Sequence, residues 1–272
     1  MRGASRVSLA AVRETVERLT PADRPAALRE LAGEIFSIVH LLGSEARLRR
    51  IVSDPALETD QRAGLLSGLL AGQVSDRARE VAETLARASW AEPRDLVDAA
   101  DDAAAQTLFL AEEREDSLDD VEDELFRFGR VLEAEPALRS ALTDRSLPAE
   151  RKQGLLDGLL SGKVRDATLT LIREVVLHPR GRTLDRGLED YARAAAARRE
   201  RLVARVTSVV PLGEAQLTRL SEGLATELGH EVHLNVEIDP DLVGGLTVRV
   251  GDELFDGSIV HRLTTARRLM AG

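Results

Sequence analysis

Nine acidic residues crowd one stretch of the chain: Glu112, Glu113, Glu115, Asp116, Asp119, Asp120, Glu122, Asp123 and Glu124. Carboxylates at this density suit a hard cation such as calcium or magnesium. A calcium loop also needs a glycine at its sharp turn and ligands at alternating positions, and this stretch has neither. Leu118, Val121, Leu125 and Phe128 run through it at helical spacing. The carboxylates therefore read as the solvated face of a helix. The run from Gly158 to Val164 is the nearest approach to a phosphate-binding loop. That motif needs glycine at position 157 and Ser or Thr at 164, where Asp157 and Val164 stand. His230 and His233 are three apart at a strand start and face opposite ways, with no third ligand near in sequence. His40, His178 and His261 are isolated in sequence and read as structural residues. No G-x-S-x-G nucleophile motif occurs. Arg198, Arg199, Arg201 and Arg205 lack interleaved aromatics and read as a basic helix end, where the helix dipole favours positive charge. No catalytic residue, cofactor or metal site is expected.

The most ordered pattern lies near the C-terminus. Val232, Leu234, Val236 and Ile238 alternate with polar residues, the period of a half-buried strand. Asp239-Pro240 stops that strand. Leu246, Val248 and Val250 alternate again after Gly244-Gly245. Gly251-Asp252 then reads as a two-residue hairpin turn that sets Val248 opposite Phe255. Asp256-Gly257-Ser258 ends the hairpin, and Ser258 reads as the cap of a last helix. Asp239, Pro240, Gly244, Gly245, Gly251, Asp252, Asp256, Gly257 and Ser258 are turn residues by type, so they are read as structural.

These spaced elements resemble the C-terminal domain of the delta subunit of F-type ATP synthases, whose mitochondrial counterpart is the oligomycin-sensitivity-conferring protein. The resemblance covers about the last 70 residues well. It includes the stretch Val206 to Leu212 before an amphipathic helix that carries Leu217, Leu220, Leu224 and Leu228. In that helix Gly213 is a weak cap, and Gln216 is placed to reach back to it.

Composition agrees with a mainly α chain. Charged residues make up 31% and aromatics 3%, so the core must be aliphatic and alanine-rich. A formal net charge of −10 argues against a nucleic-acid binder. The chain has no cysteine, which excludes disulfides and thiolate metal sites. No stretch reaches the roughly 18 apolar residues that span a bilayer, and the N-terminus does not read as a signal peptide. A soluble chain made in the cytoplasm is expected, with membrane contact only through partners.

Upstream lies an internal repeat at an offset of 90 residues, Gly154 over Gly64. Gly64, Leu65, Leu66, Gly68, Leu69, Leu70, Gly72, Val74 and Asp76 recur as Gly154, Leu155, Leu156, Gly158, Leu159, Leu160, Gly162, Val164 and Asp166. Helical periodicity alone aligns leucines but not glycines and aspartates, so a helical module is duplicated. Helices are predicted at 25–43, 44–52, 58–71 and 75–90, and again at 117–134, 135–142, 148–161 and 164–177. Gly72 and Gly162 fall where a helix C-terminus needs positive φ. The repeated Gly-Leu-Leu helices could supply an apolar groove for a partner helix, but any single leucine of them, Leu65 and Leu69 among them, is read first as spent on the bundle's own core. Leu96 to Ala111 forms a further helix that either closes the first bundle or opens the second. The expected domains are a first bundle at 1–112, a repeated bundle at 113–200 and a small α+β domain at 201–272.

The resemblance implies a non-catalytic peripheral-stalk subunit on the cytoplasmic face of the cell membrane. Its helical domain would hold N-terminal segments of the alpha subunits, with beta a further candidate neighbour. Its C-terminal region would bind the membrane-anchored b subunits, so that proton flow is coupled to ATP synthesis. The family has one helical bundle, and the second copy departs from it. A reading from another class stays open, that of a free helical adaptor unattached to any ATPase.

Overall fold

The computed structural model describes residues 3–201, 203–228, 232–239, 245–250 and 253–256. The chain divides into two compact units, Met1–Ala195 and Ala196–Gly272.

The first unit begins with α1 (Gly3–Leu19). The first copy of the module follows as α2 (Pro25–Ser44), α3 (Ala46–Val52), α4 (Thr59–Leu70) and α5 (Asp76–Arg87). After α6 (Pro93–Glu113), the second copy is α7 (Leu118–Ala134), α8 (Pro136–Thr143), α9 (Ala149–Leu160) and α10 (Asp166–Leu177). Helix α11 (Leu184–Arg201) leads out of the unit. The starts of α3, α4 and α5 recur 90 residues later in α8, α9 and α10, so the duplication is structural as well as sequential.

Matched residues carry matched local chemistry. Gly72 and Gly162 follow α4 and α9 with φ of 72° and 70°, a conformation only glycine adopts without strain. Asp54 Oδ1 accepts the N–H of Ala56 at 2.9 Å, and Asp144 Oδ1 accepts that of Ser146 at 2.8 Å. Arg49 donates to Leu42 O at 2.8 Å, and Arg139 donates to Leu132 O at 3.3 Å. The identities therefore persist where a turn or a helix end needs that side chain.

Helix α6 belongs to both copies. Displaced by 90 positions, α1 falls on 93–109, within α6, and α6 falls on 183–203, over α11. Ser5 of α1 donates to Asp95 of α6 at 2.6 Å, and Tyr191 of α11 donates to Asp101 of α6 at 2.6 Å. Each bond joins residues 90 apart, so α6 meets α1 as α11 meets α6. Fifteen of the 21 residues of α6 are buried, which marks a helix enclosed on all sides. Ala99, Ala100, Ala103, Ala104 and Ala105 let neighbours approach closely, α2 most of all. Helix α6 packs on α1, α2, α3 and α5, and also on α7 and α10. One hydrophobic core thus runs from Val12 in α1 to Ala195 in α11.

The second unit holds β1 (Val203–Ser208), α12 (Glu214–Leu228), β2 (His233–Ile238), β3 (Leu246–Val250) and β4 (Glu253–Asp256). The sheet order is β2-β1-β3-β4. Strands β1 and β2 are parallel, with α12 in the crossover a parallel pair requires. Strand β3 pairs antiparallel with β1 and with β4. Val248 faces Phe255, the register expected from the hairpin pattern. Ala204, Val206, Val248 and Val250 bury one face with Leu224 of α12. At the start of α12, Gln216 Oε1 accepts the Gly213 N–H at 2.9 Å, the expected reach-back. The helix expected after Ser258 lies outside the described residues. Among the described residues, no helix is long and apolar enough to cross a membrane.

Candidate partner-docking groove

Three of the signature turn residues are described. The Asp239 N–H donates to Ser208 O at 2.9 Å, tying the end of β2 to that of β1. Gly245 has φ 86° just before β3, and Asp256 ends β4 opposite Thr247. Pro240, Gly244, Gly251, Asp252, Gly257 and Ser258 lie outside the described residues, as do His230 and His261. Arg198, Arg199 and Arg201 occupy the last turn of α11.

Helices α8 to α11 enclose a groove of about 590 Å³ in the second copy. Leu142, Leu147, Val176 and Leu184 give it an apolar lining, Arg145 and Lys152 add positive charge, and Arg139 is paired with Asp185 of the same wall at 2.5 Å. The corresponding corner of the first copy is built differently. There Arg62, 4% exposed, reaches from α4 to Val52 O and Ala88 O at 3.2 Å and Arg87 O at 3.5 Å. Its guanidinium joins the C-terminal ends of α3 and α5, where open carbonyls favour a cation. Trp90 is buried too and donates to Leu85 O at 2.8 Å. Ninety residues on, Lys152 and Arg180 replace this pair, and Arg180 turns instead to Asp101 at 2.5 Å. The corner held by Arg62 and Trp90 in one copy thus corresponds to the groove in the other.

The outer faces also correct the sequence expectation. Leu65 and Leu69 are 41% and 46% exposed, because α4 turns Ala63, Leu66 and Leu70 to the core instead. Leu159 of α9 is exposed as well. Beside them, a Cβ added at Gly64, Gly68, Gly154 or Gly158 would meet nothing within 4 Å. These glycines are not required by packing inside the unit.

Two charged clusters tie the copies together through α6. The Glu112 side chain, 1% exposed, pairs with Arg29 of α2 at 2.7 Å and with Arg165, the residue before α10, at 2.5 Å. The same arginines bond Glu115, and hydrogen bonding from Arg29 leads in holding that carboxyl below its ordinary value. The acidic run is therefore not wholly a solvated face. Asp101 pairs with Arg180 at 2.5 Å and Arg182 at 3.0 Å, and accepts the Tyr191 hydroxyl. Burial, then the charge of Asp101, pushes that hydroxyl well above its ordinary range. His40 and His178, isolated in sequence, stack with ring centroids 3.8 Å apart. Sequence reading missed these groups because their members lie far apart along the chain. Only the four-residue spacing of Glu174 and His178 was a local signal.

A family model described as OSCP, ATP synthase delta (OSCP) subunit, matches residues 103–270, more than half of the chain. The chain belongs to the ATP synthase delta (OSCP) family. As a delta subunit it is a non-catalytic stator component of the ATP synthase. The ATP synthase subunit delta of Thermobifida fusca is 44% identical over 272 residues, 100% of both chains. That of Acidothermus cellulolyticus is 42% identical over 273 residues, again 100% of both. A cryo-EM structure of the Toxoplasma gondii mitochondrial ATP synthase hexamer matches at 18% identity and a TM-score of 0.33, over 62% of this chain and 95% of that one. The family match begins inside α6 and runs through the second copy and the C-terminal unit. The first copy precedes it, and the full-length delta relatives span that copy too.

Proposed function

We propose that the second copy, 113–200, grips the catalytic head by seating an N-terminal helical segment of an alpha subunit in its groove. The observation that carries this reading is the difference between the copies. The groove corner is open in the second and occupied by Arg62 and Trp90 in the first. An apolar lining beside Arg145 and Lys152 suits an amphipathic helix with an acidic flank. The family match over 103–270 supports the same copy.

In this reading the C-terminal domain, 201–272, binds the far end of the b subunits on the cytoplasmic face of the cell membrane. The first copy, 1–112, buttresses the second through α6. The nine turn residues from Asp239 to Ser258 hold the C-terminal fold and touch no substrate. The whole resists rotation of the head, so that proton flow is coupled to ATP synthesis.

The test is a pull-down of tagged full-length chain from its own cells in mild detergent. Alpha, beta and b subunits should be recovered together. Leu147→Glu, on a half-buried groove residue, should lose alpha and beta while keeping b. Recovery of no ATP synthase subunit by the folded wild type would return the adaptor reading, and undiminished alpha with the variant would move the contact elsewhere.

A further inference from the structure

We propose that His40, Glu174 and His178 form a binding site for a divalent cation of the zinc class, which clips the first copy of the module to the second. His40 lies on α2 of the first copy, while Glu174 and His178 lie on α10 and its C-terminal cap in the second. Glu174 and His178 are four residues apart, so they rise from one face of the helix. His40 Nε2 is 2.8 Å from one Glu174 oxygen and 3.1 Å from the other. One ligand atom from each of the three side chains lies within 4.8 Å of the other two.

The donor set selects the ion. Two imidazoles and a carboxylate, without thiolate, suit zinc and its late first-row neighbours. Calcium and magnesium want oxygen alone. Zinc bonds of about 2.1 Å place tetrahedral donors roughly 3.4 Å apart, so binding asks His40 and Glu174 to part by about 0.6 Å and the widest donor pair to close by at most about 1.4 Å. It also asks the stacked rings of His40 and His178 to turn until both lone pairs aim at one point. The His40–Glu174 hydrogen bond gives way to two metal bonds. Access is built in, since the His40 side chain is 35% exposed while that of Glu174 is 10% exposed. The nearest competing charge is Arg180, whose Nη1 faces Glu174 at 3.8 Å while its Nη2 holds Asp101 at 2.5 Å.

The site is tested on the full chain, freed of metal by a chelator and titrated with zinc chloride by calorimetry. Saturation at one ion per chain is expected, with a rise in the unfolding temperature. His40→Ala gives up its hydrogen bond to Glu174 and so should melt below the metal-free wild type. Zinc should raise the unfolding temperature of the wild type and leave that of the folded variant unmoved, with binding at least about tenfold weaker. Cobalt in place of zinc should give visible absorption bands of a four-coordinate nitrogen and oxygen site, a readout needing no variant. Absence of saturable zinc binding, or equal affinity in wild type and His40→Ala, would overturn the proposal. So would a cobalt spectrum identical to that of the hexa-aqua ion.

Discussion

Glu34 and Glu124 occupy the same place in the two copies, and each accepts the backbone N–H of the residue that precedes a helix 41 positions on. Glu34 Oε1 takes that of Ser75 at 2.9 Å, and Glu124 Oε2 takes that of Arg165 at 2.9 Å. Each carboxylate faces the positive end of a helix, α5 or α10. Retention of this contact through the duplication links the first helix of each copy, α2 or α7, to its last, α5 or α10.

The two contacts should differ in strength. Ser75 also caps α5 with its own hydroxyl, which accepts the Ala78 N–H at 3.2 Å. Arg165 supplies no side-chain cap to α10, so Glu124 alone serves that helix start. Each carboxylate also accepts a hydroxyl at 2.5 Å, Glu34 from Ser75 and Glu124 from Thr168. Glu124→Ala should cost about 2 kcal/mol and Glu34→Ala about 1 kcal/mol, measured by urea unfolding. Equal losses would mean that the cap on Ser75 carries no weight.

Removing Asp101 should be among the most damaging single changes. It is buried in α6 and carries Arg180 and Arg182, whose side chains are 9% and 15% exposed. Asp101→Ala takes the nearest anion from both cations, leaving Arg180 to Glu174 at 3.8 Å and Arg182 to Asp190 at 3.9 Å, an expected loss of about 3 kcal/mol. Tyr191→Phe removes one hydroxyl from the same carboxylate and should cost about 1 kcal/mol. Thermal and denaturant melts of both variants check the order.

Two glycine substitutions should act in opposite directions. Gly158 sits within α9 with open space where a Cβ would go, so Gly158→Ala should stabilise the chain by about 1 kcal/mol. At Gly187 in α11 an added Cβ would stand 2.5 Å from Val175 Cγ1 of α10. Gly187→Ala should therefore destabilise by about 2 kcal/mol through overpacking. If Gly158→Ala stabilises the free chain yet weakens recovery of ATP synthase subunits, that glycine serves a docking face.

Acid should loosen the junction between the copies. Arg29, by hydrogen bond and charge, and Arg165 by charge hold the Glu115 carboxyl below its ordinary value of 4.5. A carboxyl depressed on folding binds fewer protons folded than unfolded. Its contribution is complete above the unfolded value and fades as pH falls through the folded one. Glu115→Gln should therefore flatten the loss of stability from about pH 5 downward. A carbon-detected NMR titration should show Arg29→Ala returning the Glu115 value upward.

Much of the architecture was legible locally. Leucine spacing placed the helices, glycine and aspartate placed their ends, and alternation set Val248 against Phe255. The repeat was visible because it aligned Gly72 with Gly162 as well as leucine with leucine. Such signals act over a few residues, and a linear sequence displays them directly.

What the tertiary structure alone decided is which faces meet. The helix at Leu96 to Ala111 could be assigned to either bundle by pattern, and it serves both because it is enclosed on every side. Leu65 and Leu69 share a pattern with core leucines, but the core lies beyond Leu66 and Leu70. Glu112 looked solvated within its acidic run, until Arg29 and Arg165 arrived from 83 and 53 residues away. His40 met Glu174 across 134 residues of chain. Local propensity chooses the helices. Burial of apolar faces, each shared among several helices, chooses their partners, and that choice depends on the whole chain at once.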